Sequence, residues 1–144
     1  MSGGRLYPDR PFLAASVGVV RDGRVLLAAR GRPPMERVFS LPGGLVEPGE
    51  TLAEAALREL REEVGIEARI TGVVGPVEII DRDPDGRVRH HFVVVAHRAE
   101  WLAGEPASGP EALEFCWAGR GEEMPFPLTP GLPGILDLIF AAGR

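Results

Sequence analysis

The chain lacks three amino acids altogether, because lysine, asparagine and glutamine do not occur among its 144 residues. All 16 basic residues are therefore arginine. Without lysine, the chain can supply neither Schiff-base chemistry nor a Walker-type phosphate loop. Without side-chain amides, it cannot recognise a nucleobase edge with asparagine or glutamine. Any phosphate-bearing ligand must be held by arginine, by backbone N–H groups or by a metal ion.

Cysteine and long apolar runs are scarce as well. Cys116 is the single thiol, which excludes a disulfide framework and a four-cysteine zinc site, and we interpret it as a small buried residue. No apolar run approaches the ~20 residues of a membrane span. The N-terminal segment MSGGRLYPDRPF does not resemble a secretion signal, so we expect a cytoplasmic protein without a membrane partner. The net charge of −5 argues against a surface for polymeric nucleic acid.

The segments that are present predict a mixed α/β fold in one domain over residues 1–144. Two apolar runs around the Asp22-Gly23 pair predict a β-hairpin at 12–30. Further along the chain we expect a hairpin of two strands, another strand, a proline-rich loop and a terminal helix. Their predicted ranges are 68–80 and 88–101, 111–118, 125–134 and 135–142.

Residues 52–64 carry the strongest helix signal. Thr51 and Glu54 have the spacing of a capping box, in which each side chain accepts a hydrogen bond from a free backbone N–H group. Gly65 supplies a stop signal, since glycine tolerates the left-handed conformation. The apolar residues recur at helical spacing and predict the buried face: Ala53, Ala56, Leu57, Leu60 and Val64.

The same helix carries an unusual set of acids. Glu59, Glu62 and Glu63 are three or four positions apart, so their side chains share a helix face. One interpretation is a solvated acidic face with internal ion pairs to Arg58. The other is a site for a hard divalent cation, which prefers carboxylate oxygens together with water and phosphate oxygens. Paired glycines before the helix favour the second, because they allow the backbone to approach an ion or ligand closely.

These residues resemble the signature of the Nudix hydrolases. The signature runs Gly, five residues, Glu, seven residues, Arg-Glu, an aliphatic residue, any residue, Glu-Glu, any residue, Gly and an aliphatic residue. Its fixed positions are filled here by Gly44, Glu50, Arg58, Glu59, Leu60, Glu62, Glu63, Gly65 and Ile66. The order of predicted elements is also similar to the family, so the likeness extends over a core at about residues 12–141.

The resemblance implies a Nudix fold, in which a mixed β-sheet is sandwiched between α-helices. It implies hydrolysis of a nucleoside diphosphate linked to another group, X, with Mg²⁺ or Mn²⁺. By position, Glu59, Glu62 and Glu63 are the metal carboxylates, and one of them serves as general base. The Gly43 carbonyl is a further metal ligand in this comparison. Arg58 resembles the residue that orients the carboxylates, and Glu50 resembles an auxiliary metal residue.

Three positions outside the acids complete the expected site. Gly44 is expected at the substrate, where its backbone can approach closely. Arg30 ends a predicted strand, and relatives often use an arginine there to bind the substrate phosphate; the alternative is ordinary surface charge. Glu111 lies in a region where several relatives have an extra acidic metal ligand; the alternative is a solvated carboxylate.

The resemblance leaves the substrate open. ADP-ribose-like nucleotide sugars are slightly favoured, and nucleoside triphosphates, including oxidised ones, are the alternative. A nucleotide-sensing Nudix domain without activity is a third interpretation, disfavoured because every signature acid is present. An isoprenoid-diphosphate isomerase is not supported, since Cys116 alone does not supply its extra catalytic residues. We expect a small-molecule nucleotide diphosphate as the partner, and the sequence leaves open whether the chain forms a homodimer.

Overall fold

The computed structural model describes residues 5–30, 38–107 and 113–142, and for Arg30 and Leu113 it describes the backbone alone. These residues form a six-stranded mixed sheet and two α-helices. In chain order the elements are β1 (Phe12–Arg21), β2 (Arg24–Arg30), β3 (Gly43–Leu45), α1 (Leu52–Val64), β4 (Glu67–Arg82), β5 (Val88–Ala103), β6 (Leu113–Gly119) and α2 (Leu132–Ala142).

Strand β1 lies at the centre of the sheet, whose order is β4-β5-β1-β2-β6. It pairs with β5 in parallel, whereas its other partners, β2 and β3, run antiparallel. Strand β2 pairs with the end of β1, at Val20 and Arg21, and β3 pairs with its beginning, where Ala15 lies opposite Gly44. The short glycine-containing strand is therefore held against the middle of the sheet.

Each face of the sheet is covered by one helix. Successive side chains of β2 point to opposite faces of the sheet. Leu26 packs in the core on the α1 side, whereas Val25 and Leu27 pack in the core on the α2 side. Leu60 and Ile139, from α1 and α2 respectively, are fully buried. The predicted fold class, a mixed sheet sandwiched between helices, is confirmed.

Helix α1 spans the predicted residues, and both of its predicted end signals are present. Thr51 and Glu54 form the capping box, and Gly65 ends the helix in the left-handed conformation with φ of 80°. The predicted buried face is right at Ala56, Leu60 and Val64, with Leu57 partly buried. It is wrong at Ala53, which is only half-buried, and it omits Ala55, which is fully buried.

Both predicted hairpins are present, and the turn between β1 and β2 has positive φ at Asp22 and Gly23. Helix α2, however, begins at Leu132, within the segment 125–134 that we predicted to be a loop. Pro133 is compatible with this start because the first turn of a helix does not use the missing N–H group. Among the described residues, no helix is both long and apolar enough to cross a bilayer.

Candidate functional site

Strand β3 lies close to its neighbours because Gly43 and Gly44 lack side chains. A Cβ atom on Gly43 would collide with the backbone carbonyl of Ala15 and with Ser16. A Cβ atom on Gly44 would lie 2.6 Å from the carboxyl carbon of Glu59 and 2.7 and 2.9 Å from its oxygens. Glycine at these positions therefore lets β3 contact β1 on one side and a helix carboxylate on the other.

Arg58 connects helix α1 to β3 and to the loop between them. Its Nε and Nη2 atoms donate to the two carboxylate oxygens of Glu50 at 2.7 and 2.9 Å, a bidentate arrangement that restricts both side chains. Its Nη1 atom donates to Glu59 Oε1 at 2.9 Å, and Nη2 also donates to the Leu45 carbonyl oxygen at 3.1 Å. The side chain of Arg58 is only 19% exposed.

Glu50 is held in its charged form by this geometry. The hydrogen bond from Arg58, followed by the one from the backbone N–H group of Glu47, lowers the pKa of Glu50 from 4.5 to about 2. The hydrogen bond to Glu50 is in turn the main reason that the pKa of Arg58 is raised above its ordinary value. Both groups are therefore ionised throughout the physiological pH range.

Two of the predicted metal carboxylates contact the same nitrogen of Arg58. Glu62 Oε2 lies 3.4 Å from Nη1, the atom that also donates to Glu59. Glu59 is largely covered, with 14% of its side chain exposed, whereas Glu62 is 62% exposed. We call Arg58, Glu50, Glu59 and Glu62 the Arg58 cluster.

The donor chemistry at the Arg58 cluster fits a hard divalent cation, since carboxylate and carbonyl oxygens are the ligands such ions prefer. Because Gly44 has no side chain, the Glu59 carboxylate lies directly against the backbone of β3. In residues 5–30, 38–107 and 113–142, however, no three carboxylate, imidazole or thiolate groups converge closely enough to hold a metal ion. Contact with Arg58 accounts for part of this, because it holds both Glu59 and Glu62.

A cavity of about 260 Å³ lies on the face of the sheet that α2 covers. Its walls are mainly apolar and include Val77, Ile79, Phe92, Val94, Leu132 and Ile135. Gly43 and Gly44 also border it, so β3 lies between the cavity and Glu59. Among the described residues that line the cavity, Arg5 is the only charged one.

The structure brings together most of the residues that the sequence predicts for the site. Arg58 contacts Glu50, Glu59 and Glu62, and Glu59 in turn lies against Gly44. Glu63 lies on the last turn of α1 and is half-buried. Glu111 and the side chain of Arg30 lie outside the described residues. The roles assigned to all of these residues stay predictions.

Sequence reasoning missed two contributors to the site. The Leu45 carbonyl accepts a hydrogen bond from Arg58, and a backbone acceptor leaves no signal in the sequence. Arg5 reaches the cavity from the N-terminal segment, far from the signature, and nothing in its sequence neighbourhood marks it. That Arg5 is the one arginine among the described residues of the cavity walls can be recognised only once the fold is known.

Comparisons with known proteins agree with this geometry. A family model described as the NUDIX domain matches residues 11–139. An ADP-ribose pyrophosphatase of Methanocaldococcus jannaschii is 36% identical over 110 residues, which cover 76% of this chain and 62% of the relative. A CTP pyrophosphohydrolase of Escherichia coli is 32% identical over 124 residues, covering 85% of this chain and 87% of that protein. The chain thus spans less than two thirds of the archaeal relative's length.

Among solved structures, a MutT NUDIX hydrolase from Burkholderia pseudomallei superposes with a TM-score of 0.77 and is 30% identical. The superposition covers 91% of this chain and 99% of that one. The chain therefore belongs to the NUDIX family, whose members are hydrolases of pyrophosphate bonds in nucleotide-like substrates and generally depend on Mg²⁺. The predicted family, fold and enzyme class are confirmed.

Proposed function

We propose that this chain is a divalent-metal-dependent pyrophosphohydrolase that cleaves a nucleoside diphosphate linked to a group X. The observation that carries the proposal is the Arg58 cluster, in which Glu59 lies against Gly44 and is held by Arg58. An arginine among acids that served only as a salt-bridge network would not require glycine in front of one carboxylate. The missing side chain lets that carboxylate lie against β3, the strand that carries the Gly43 carbonyl predicted as a further ligand.

Glu59, Glu62 and Glu63 are the residues that would hold the cation, with the Gly43 carbonyl as a further ligand. When bound, a divalent cation neutralises phosphate oxygens and lowers the pKa of water. The exposed Glu62 side chain can change its rotamer with little loss of packing, because most of its surface faces solvent. A carboxylate of this set accepts the proton of the attacking water as the water oxygen bonds to phosphorus and the anhydride bond breaks.

Arg58 and Glu50 are positioning residues in this proposal. The bidentate pair fixes the guanidinium, and the guanidinium then fixes the orientation of Glu59 through Nη1. The hydrogen bond from Arg58 to the Leu45 carbonyl oxygen keeps β3 aligned with the helix.

Two substrate classes are supported by different relatives. The similarity to an ADP-ribose pyrophosphatase supports ADP-ribose-like nucleotide sugars, the class favoured slightly from the sequence. The similarities to a CTP pyrophosphohydrolase and to a putative 8-oxo-dGTP diphosphatase 2 of Mycobacterium tuberculosis support nucleoside triphosphates. The cavity of about 260 Å³ is smaller than the roughly 300–1,000 Å³ of typical drug-sized ligand sites. It suits one ring system rather than both halves of a dinucleotide.

The proposal is tested by incubating the protein with ADP-ribose, CTP, GTP, 8-oxo-dGTP and NADH, with Mg²⁺ or with excess chelator. We expect cleavage of the diphosphate bond in at least one substrate, loss of cleavage in chelator, and recovery when Mg²⁺ is restored. Glu59→Gln should abolish cleavage, whereas the matched control Glu67→Gln, at an exposed position beyond the helix, should not. Nucleotide binding without cleavage would contradict the proposal and would instead support a nucleotide sensor.

A further inference from the structure

The N-terminal segment is fastened to the tip of the β4–β5 hairpin by Tyr7. The Tyr7 N–H group donates to the Arg89 carbonyl oxygen at 2.9 Å, and its hydroxyl donates to Asp83 Oδ2 at 2.8 Å. The guanidinium of Arg87 lies over the Tyr7 ring, 4.3 Å from its centroid. Three different kinds of contact therefore hold one residue of a segment that precedes the first strand.

The acceptor for the Tyr7 hydroxyl is itself fixed. Asp83 Oδ1 accepts hydrogen bonds from the backbone N–H groups of Asp85 and Arg87, each at 2.9 Å. Tyr7 also has φ of 50°, a conformation that costs a non-glycine residue free energy and persists only when its surroundings hold it in place. The attachment of Tyr7 is therefore specific, and it determines where the residues just before it lie.

This attachment brings Arg5 to the cavity. Arg5 lies two residues before Tyr7 and is the only charged residue among the described residues of the cavity wall. Tyr7 is bonded to Arg89, close to Phe92, whereas Gly43 pairs with β1 farther along, opposite Ser16. Arg5 thus lies at the Phe92 end of the cavity, away from the carboxylates that face the diphosphate in the proposed function.

We propose that Arg5 is a specificity-determining residue that binds the edge of a nucleobase seated in this cavity and selects bases with two adjacent acceptors. The inference rests on the proposed function and deepens it. A guanidinium offers a fork of N–H donors and no acceptor. Guanine presents two acceptors, N7 and O6, whereas adenine presents an acceptor, N7, beside a donor, the N6 amino group. An apolar cavity in which Arg5 is the one arginine among the described wall residues favours guanine or hypoxanthine over adenine, and so favours the nucleoside triphosphates over ADP-ribose, which carries adenine.

Comparing ITP with ATP distinguishes an effect of Arg5 on the base from an effect on the phosphates. ITP and ATP carry identical sugars and triphosphates, and their rings differ at position 6, a carbonyl in ITP and an amino group in ATP, and at the adjacent N1, which carries a hydrogen only in ITP. A lost bidentate arginine contact reduces discrimination between bases by roughly 5- to 150-fold. Because Arg5 is exposed, we expect Arg5→Ala to reduce the ITP-to-ATP ratio of kcat/KM by a factor near the lower end, about fivefold, mainly through KM.

The matched control is Arg10→Ala, since Arg10 is an exposed arginine of the same segment that does not line the cavity. It should leave the ITP-to-ATP ratio unchanged. Tyr7→Phe keeps the ring but removes the bond to Asp83, so it should lower the ratio by less than Arg5→Ala does. Equal losses for ITP and ATP in Arg5→Ala, or no loss for either, would overturn the proposal.

A binding experiment distinguishes failure of this inference from failure of the proposed function. Titration calorimetry with IMP and AMP in chelator reports base recognition without hydrolysis. We expect wild type to bind IMP more tightly than AMP and Arg5→Ala to lose that difference. If the difference is present but no nucleotide is cleaved, the inference stands and the proposed function fails. If nucleotides are cleaved but Arg5→Ala keeps the difference, only the inference fails.

Discussion

Replacing Gly44 by alanine tests the contact between β3 and Glu59 with the smallest available change. The new Cβ atom would lie 2.6 Å from the carboxyl carbon of Glu59. An ordinary contact begins at about 3.4 Å, so the carboxylate must retreat by roughly 0.8 Å. It then leaves its position against Arg58 Nη1, 2.9 Å away in the native arrangement.

We expect Gly44→Ala to lower the catalytic rate and to leave the free energy of unfolding nearly unchanged. The atoms that must move belong to the end of a flexible side chain, and Gly44 does not need a positive φ angle, so the free energy of unfolding should change little. A misplacement of about 1 Å in a catalytic group can cost ~100-fold in rate. We therefore expect Gly44→Ala to lower kcat by roughly 10- to 100-fold while the melting temperature stays within a few degrees of wild type.

The assay is steady-state cleavage of whichever nucleotide is the best substrate, together with thermal unfolding of the same samples. Gly72→Ala is the matched control, because a Cβ atom there meets nothing within 4 Å and its φ angle is ordinary. Full activity in Gly44→Ala would refute the reasoning that glycine is needed at position 44 to keep the Glu59 carboxylate in its active position. So would a large fall in melting temperature with proportional loss of activity, since the glycine would then be structural.

Two further predictions concern stability. Leu60→Ala removes a fully buried side chain of the α1 core, so the free energy of unfolding should fall by ~2–5 kcal/mol and Tm by roughly 5–15 °C; Leu138→Ala, at an exposed position, is the control. The hydrogen bonds from Arg89 and then His90 lower the pKa of Asp81 from 3.8 to about 2. Because the folded pKa is the lower one, this stabilisation is complete above pH 3.8 and is lost toward pH 2, so urea midpoints of wild type and Asp81→Asn should converge over that range. A neutral Leu60→Ala, or a constant gap between the urea midpoints, would contradict these assignments.

Local signals in the sequence predict the parts of the fold that are stabilised locally. The capping box at Thr51 and the left-handed Gly65 fix both ends of α1 within a few residues of chain. The Asp22-Gly23 pair likewise sets the first hairpin, because its positive φ angles are those of a tight two-residue turn. The error at α2 has a local cause too: Pro133 and Gly134 disfavour a helix interior, yet the first turn tolerates them.

Contacts between distant segments could not be predicted in this way. The parallel pairing of β1 with β5 joins residues that lie about eighty positions apart, and no short-range pattern encodes it. The pairing of β3 with β1 brings Gly44 to Glu59, which the signature spacing indicates only through the family resemblance. Arg5 enters the cavity because Tyr7 is bonded to Asp83, a contact that depends on the whole hairpin being in place.

The central claim is that carboxylates of α1 bind a divalent cation at the diphosphate, and Mn²⁺ titration followed by electron paramagnetic resonance tests it most directly. We predict that wild type binds Mn²⁺, that Glu63→Gln weakens binding at least tenfold and slows cleavage by orders of magnitude, and that Glu63→Gln stays folded. The control, Glu67→Gln, should bind Mn²⁺ as wild type does. Equal Mn²⁺ affinity in wild type and Glu63→Gln, or no binding by wild type in the presence of nucleotide, would contradict the account.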